Sequence, residues 1–270
     1  MLIEQTLTLL QSLKLTGMAA ALAEQRGLPD LASLPFEDRL ALLLERELGT
    51  RQDRRLTRLL QLARFRHAAC VEDVNFRTKR GLERGPFLQL AGGEWIRQRQ
   101  TLLIVGPTGT GKTWLACALG QSACRQGHTV RYVRLPRLLS DELVLARADG
   151  SYGKLMQTMA KTDLLILDDW GLAPLGDRER RDLLELVEER AGRRATLVTS
   201  QLPIEHWHEM IGDATFGDAI LDRLVHHAHR LTLTGGSLRR LAATPTSPTS
   251  HADSLIHGPA HPLITMDRNA

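Results

Sequence analysis

The chain has 270 residues, room for one sizeable domain and a smaller one. Hydrophobic residues make up 43% and charged residues 24%, an ordinary balance for a soluble globular protein, and the net charge of +4 suits an anionic partner without specifying one. Three cysteines, with no Cys-x-x-Cys pair and no zinc-ligand spacing, exclude a disulfide framework and point to the cytoplasm; no apolar run reaches the roughly 20 residues that cross a bilayer.

The N-terminal MLIEQTLTLLQSLKLTG carries Glu4 and no basic stretch ahead of its apolar part, so it does not read as a signal peptide. From Leu2 to about Arg66 apolar residues recur at helical spacing, among them Leu9, Leu10, Leu13, Leu40, Leu43, Leu44, Leu56, Leu59 and Leu60. Two or three helices are expected, broken near Gly27–Asp30 and Ser33–Pro35. Between Arg51 and Arg66 six arginines, including Arg51, Arg54, Arg55 and Arg58, face a single acid, Asp53. A run of this kind is either a solvated face or a row of phosphate donors, and a neighbouring domain that works on DNA favours the second.

Beyond the glycine- and proline-punctuated GLERGPFLQLAGG, strand and helix patterns alternate. Strands are expected at 101–105, 130–134, 164–168, 196–200 and 231–234, with helices between them, which predicts a parallel sheet covered on both faces. The final 30 residues, rich in Pro, Ser, Thr and His, show no periodicity and read as disordered.

The first strand runs into Gly106-Pro107-Thr108-Gly109-Thr110-Gly111-Lys112-Thr113, a full G-x-x-x-x-G-K-[ST] match followed by a helix-forming run. Glycines let backbone N–H groups turn inward around phosphates, the helix N-terminus adds positive partial charge, and Lys112 reaches the outer phosphates. Thr113 is placed to ligate magnesium. The strand in DLLILDDWG delivers Asp168 and Asp169 to its C-terminal end, the edge where ligands bind in open α/β sheets. Asp168 is expected to hold the magnesium and Asp169 to polarise the attacking water. ATLVTSQLP ends in Thr199, Ser200 and Gln201, polar groups suited to sensing the γ-phosphate.

In this order the elements resemble an AAA+ ATPase. LKLTGMAAALAEQ, GPTGTGKTWLACALG, TDLLILDDWGLAPL, TSQLPIEHWHEMIGD and DAILDRLVHHAHRLTLTGGSLR make the chain similar, within that class, to the IstB-type transposition helper ATPases and more distantly to the DnaC helicase loader. The resemblance implies an α/β fold: an AAA+ P-loop NTPase core with a five-stranded parallel sheet in the order 5-1-4-3-2, spanning 71–240, after a helical domain at 1–70 and before the tail at 241–270. It implies ATP and Mg2+ as cofactors, Asp168 and Asp169 as the Walker B pair, Gln201 as first sensor, Arg223 as an arginine finger acting in trans, and Arg239 as second sensor. Asn75 and Phe76 fall where AAA+ proteins build the adenine pocket. The partners implied are double-stranded DNA, the transposase of the same element and further copies of the chain assembled with ATP, with no membrane. Arg51, Arg54, Arg55 and Arg58 would line the DNA path. Where many members carry glutamate this chain has Asp169, one methylene shorter, which implies slow hydrolysis.

Two other readings keep the phosphate loop. A DnaC-like loader would grip a helicase and hold single strands; a small-molecule P-loop kinase would want an acceptor pocket and an arginine-rich lid, which the polar strand end at 199–201 does not suit. Among the remaining candidates, Trp114 and the apolar residues after it are expected to pack on the sheet, Cys117 and Cys124 to be buried thiols, and His226, His227 and His229 to sit on a solvated or interface helix.

Overall fold

The computed structural model of the chain describes residues 2–27 and 34–238. Five strands pair in parallel as one sheet: β1 (Thr101–Val105), β2 (Val130–Arg134), β3 (Leu164–Trp170), β4 (Ala195–Ser200) and β5 (His229–Thr232), in the order β2-β3-β4-β1-β5. This is the 5-1-4-3-2 order read from the other edge. The central strands are buried along nearly their whole length, as parallel sheets covered by helices on both faces require.

Three strands differ from the expectation at their ends, β4 only by starting one residue earlier, at Ala195. β3 runs on to Trp170 because pairing with β4 resumes after a register shift between Leu167 and Trp170, so the bulge falls on Asp168 and Asp169. β5 begins at His229, opposite Leu102, although its first two residues are exposed and therefore lack an apolar signature. Leu233 and Thr234 leave the ladder by donating to Val105 O and Arg80 O, at 2.7 and 2.9 Å.

One face of the sheet is covered by helix α5 (Lys112–Arg125), whose Leu115, Ala116, Cys117, Ala118 and Leu119 are buried. The other carries α6 (Tyr152–Lys161), α7 (Asp177–Arg190) and α8 (Ala214–Val225), and buries Trp170 against Trp207 with ring centroids 4.8 Å apart.

Ahead of the sheet lie α1 (Leu2–Ser12), α2 (Thr16–Arg26), α3 (Phe36–Ala63) and α4 (Arg84–Ala91). The first-turn amides of α2 are satisfied from another helix: buried Glu47 on α3 accepts from Gly17 N at 2.7 Å and Met18 N at 3.2 Å, and pairs with Arg51 at 2.7 Å. The end of α3 packs on the nucleotide core. Leu59 and Ala63 belong to the same buried cluster as Leu102, Ile104 and Ile166, and Arg55 donates to Gly127 O at 3.1 Å. Arg64, in the left-handed region at φ 54°, ends the helix, and Phe65 packs on Gly120, where an added Cβ would come within 2.6 Å of the Phe65 ring. Among the described residues no helix is long and apolar enough to cross a membrane. Arg239 and the 241–270 tail lie outside the described residues.

Candidate nucleotide site

Residues 106–111 form the turn between β1 and α5, and two glycines are there for close approach as well as conformation. Gly109 has φ +84°, and a Cβ on it would collide with Ser237; Gly111 has φ +93°, and its Cβ would lie 2.7 Å from Arg80 Nη1. Buried Arg80 braces the loop from beneath, donating to Thr110 O at 2.9 Å and Asn75 O at 3.3 Å. Lys112 Nζ donates to Gly106 O at 2.6 Å and Pro107 O at 2.9 Å, so the ammonium is held over the loop by carbonyls alone. Burial pulls its pKa below the usual lysine value, against the opposing charges of Asp168 and Asp169. A phosphate would give that ammonium the anionic partner it lacks.

Across the loop, fully buried Asp168 is caged by hydroxyl donors. Thr113 Oγ1 lies 2.9 and 3.1 Å from its two oxygens, Thr199 Oγ1 donates to Oδ1 at 2.5 Å and Tyr132 Oη to Oδ2 at 2.6 Å. A carboxylate beside a threonine hydroxyl at the start of α5 is a donor set of hard oxygens, which fits a magnesium ion. Asp169 sits on the bulge at φ +66°, a left-handed conformation rare for a non-glycine residue. Its amide donates to Thr199 Oγ1 at 3.2 Å, and its Oδ2 takes Arg134 Nε at 3.0 Å and Arg66 Nη1 at 3.9 Å. Gln201 accepts from Thr108 Oγ1 at 2.5 Å, which joins the end of β4 to the loop.

Lys112, Thr113, Asp169 and Gln201 line one cleft of about 420 Å³ with Arg66, His67, Arg134 and Leu238, and buried Asp168 meets it through Thr113. A larger groove, about 580 Å³, lies away from them; its Arg193 pairs with Glu189 and its Arg194 with Asp163, so the P-loop cleft carries the chemistry.

The structure brings Lys112, Thr113, Asp168, Asp169 and Gln201 together and places other candidates elsewhere. Phe76 is half-buried and meets Phe87 edge-on at 5.9 Å, while Asn75 Oδ1 accepts from Arg77 N and its carbonyl from Arg80; both lie outside the lining of the cleft. Arg223, near the end of α8, pairs with Glu188 at 2.7 Å and lines a small cavity with Gln100, Thr101 and Thr196, at the N-terminal edge of the sheet opposite the P-loop. The arginine run is divided: Arg54 and Arg58 are exposed, Arg51 and Arg55 have protein partners, and Arg66 has entered the nucleotide cleft. Trp114 both packs against the core and lines the cleft, and Cys117 and Cys124 are buried, with burial pushing the Cys124 thiol up to about 12. Among the described residues no three or more His, Cys, Asp or Glu side chains converge as a metal-binding group. Tyr132, Arg80 and Arg134 were not legible as site residues; only the position of Arg134 at the C-terminal end of a parallel strand could have flagged it.

The model of the IstB-like ATP-binding proteins matches residues 8–244. The chain belongs to that family. It is 52% identical over 240 residues to an insertion sequence ATP-binding protein of Sinorhizobium fredii, covering 89% of this chain and 98% of the relative. With the IS1162 ATP-binding protein of Pseudomonas fluorescens it shares 54% over 204 residues, covering 75% and 88%. Among solved structures it is similar to DnaI, at a TM-score of 0.55 and 19% identity over 66% of this chain and 94% of that one. It is similar also to the DnaC helicase loader, at 0.51 and 17% over 61% and 96%. These likenesses show the fold, an AAA+-type core, and the family makes this IstB-like chain an ATPase.

Proposed function

We propose that this ATPase is the DNA-binding helper of an insertion-sequence transposase, assembling with ATP and Mg2+ on double-stranded target DNA in the cytoplasm to promote or regulate transposition. The observation that carries the reading is the separation of Arg223 from the cleft of its own chain. A cationic residue at the opposite edge of the sheet complements a γ-phosphate only across an interface with another copy, so nucleotide state sets assembly. The insertion sequence named in the relatives supports the transposition context.

In this scheme Lys112 and the amides of 108–113 hold the triphosphate, with Asn75 and Phe76 toward adenine and Arg239 near the phosphates as second sensor. Thr113 and Asp168 hold magnesium, which supplies charge neutralisation at the phosphates. Asp169 polarises the attacking water, and Gln201 reports on the γ-phosphate through Thr108. The exposed Arg54 and Arg58, with Arg51 and Arg55 beside them, meet the DNA backbone, so binding is salt-dependent and weakly sequence-specific.

The test is binding to random-sequence duplex and single-stranded DNA, with and without ATP and magnesium, at two salt concentrations. Duplex preference that requires ATP and is lost in Lys112→Ala is expected. Equal binding by that variant would sink the phosphate switch, and preference for single strands would favour a helicase loader.

A further inference from the structure

The segment that closes the N-terminal helices does more than connect them to the core. Ala63 is fully buried, Arg64 turns the chain in the left-handed region, and Phe65 wedges against α5 at Gly120, so the backbone is anchored immediately before residue 66. Its guanidinium lies 3.9 Å from Asp169 Oδ2, on the same oxygen that Arg134 Nε reaches at 3.0 Å from the end of β2. With both cations on Oδ2, Oδ1 is the oxygen left to accept from a water. An aspartate reaches one methylene less than a glutamate and has less freedom to correct a misaimed carboxylate, so its angle has to be set from outside. Both arginines are nearly half exposed, and their pairing contributes little to stability; what it supplies is direction.

We propose that Arg66, supplied by the helical extension, is a positioning residue for Asp169, aiming that carboxylate at the attacking water together with Arg134 and tying the hydrolytic edge of the sheet to the end of α3.

The inference rests on the hydrolytic reading of Asp169, so steady-state ATP turnover and equilibrium binding of a fluorescent ATP analogue are measured for wild type, Asp169→Asn, Arg66→Ala, Arg66→Lys and the double variant Arg66→Ala/Asp169→Asn. Arg66→Ala is expected to lower kcat about tenfold while nucleotide Kd changes less than about twofold, and Arg66→Lys to recover most of the loss. The double variant is expected to be no slower than Asp169→Asn alone, because a residue that acts through another adds nothing once that other is gone. Wild-type kcat in Arg66→Ala, parallel loss of binding and kcat without rescue by lysine, or multiplied losses in the double variant would each overturn it. Wild-type turnover in Asp169→Asn alone would instead remove Asp169 from hydrolysis, and the positioning role with it.

Discussion

Three side chains from three elements hold Asp168: Thr113 from α5, Thr199 from β4 and Tyr132 from β2. Thr113 is the one that a magnesium ion would claim, whereas Thr199 and Tyr132 remain to fix both carboxylate oxygens. Burial, and then the hydrogen bond to Asp168, push the Tyr132 phenol well above its usual range, so it stays a donor. Removing it with Tyr132→Phe should raise the magnesium concentration needed for nucleotide binding by about tenfold, the scale on which outer partners tune metal ligands. A magnesium titration of fluorescent nucleotide binding checks this; superimposable curves would reduce Tyr132 to core packing. The aspartates themselves were legible from the strand that carries them. The cage was not, since Tyr132 and Asp168 are 36 positions apart and meet only because β2 lies beside β3.

At the scale of elements, the arrangement depends on a buried cation that binds no carboxylate. Arg190, at the end of α7, donates to Met159 O and Thr162 O at the end of α6, to Ala195 O at the start of β4 and to Thr196 Oγ1. It is 2% exposed, and burial pulls its pKa down to about 9. Helix-end carbonyls have no partner within their own helix, and a guanidinium can serve several at once. Arg190→Ala would strand three carbonyls in a dry environment and is expected to cost about 3 kcal/mol, seen as a lower urea midpoint with little change in slope. A midpoint within error of wild type would mean that water replaces the guanidinium. In the sequence, Arg190 is one of several arginines in ERAGRRA, and nothing in its spacing separates the buried one from Arg193 and Arg194, which are on the surface.

For the whole molecule, the P-loop and Arg223 lie at opposite edges of one parallel sheet. Head-to-tail assembly would bring the Arg223 edge of one copy to the nucleotide edge of the next, a heterologous contact that builds rings or spirals. In the single chain Arg223 is occupied by Glu188, so a neighbour's phosphate must displace a carboxylate. Arg223→Ala should keep nucleotide affinity but lose turnover, and Lys112→Ala should lose nucleotide. Mixing the two inactive variants is expected to restore part of the ATPase activity, because one supplies a sound nucleotide cleft and the other a sound arginine. No recovery on mixing, with turnover intact in Arg223→Ala, would place the finger elsewhere.

The local chemistry could be read directly from the sequence. A phosphate loop needs closely spaced glycines, a lysine and a hydroxyl between strand and helix, and two acids at a strand end need only that strand, so Gly106–Thr113, Asp168 and Asp169 are legible from local sequence. Apolar runs likewise announced the parallel sheet through its central strands β1, β3 and β4, because strands covered on both faces are apolar along nearly their whole length. Tertiary structure decided which charges stand free and which are spoken for. The arginines of 51–66 look alike in sequence, yet the distant Gly127 carbonyl and Asp169 take contacts from Arg55 and Arg66, whereas Arg54 and Arg58 face solvent. Pairing between residues distant along the chain depends on how strands and helices are stacked, and no local pattern encodes it.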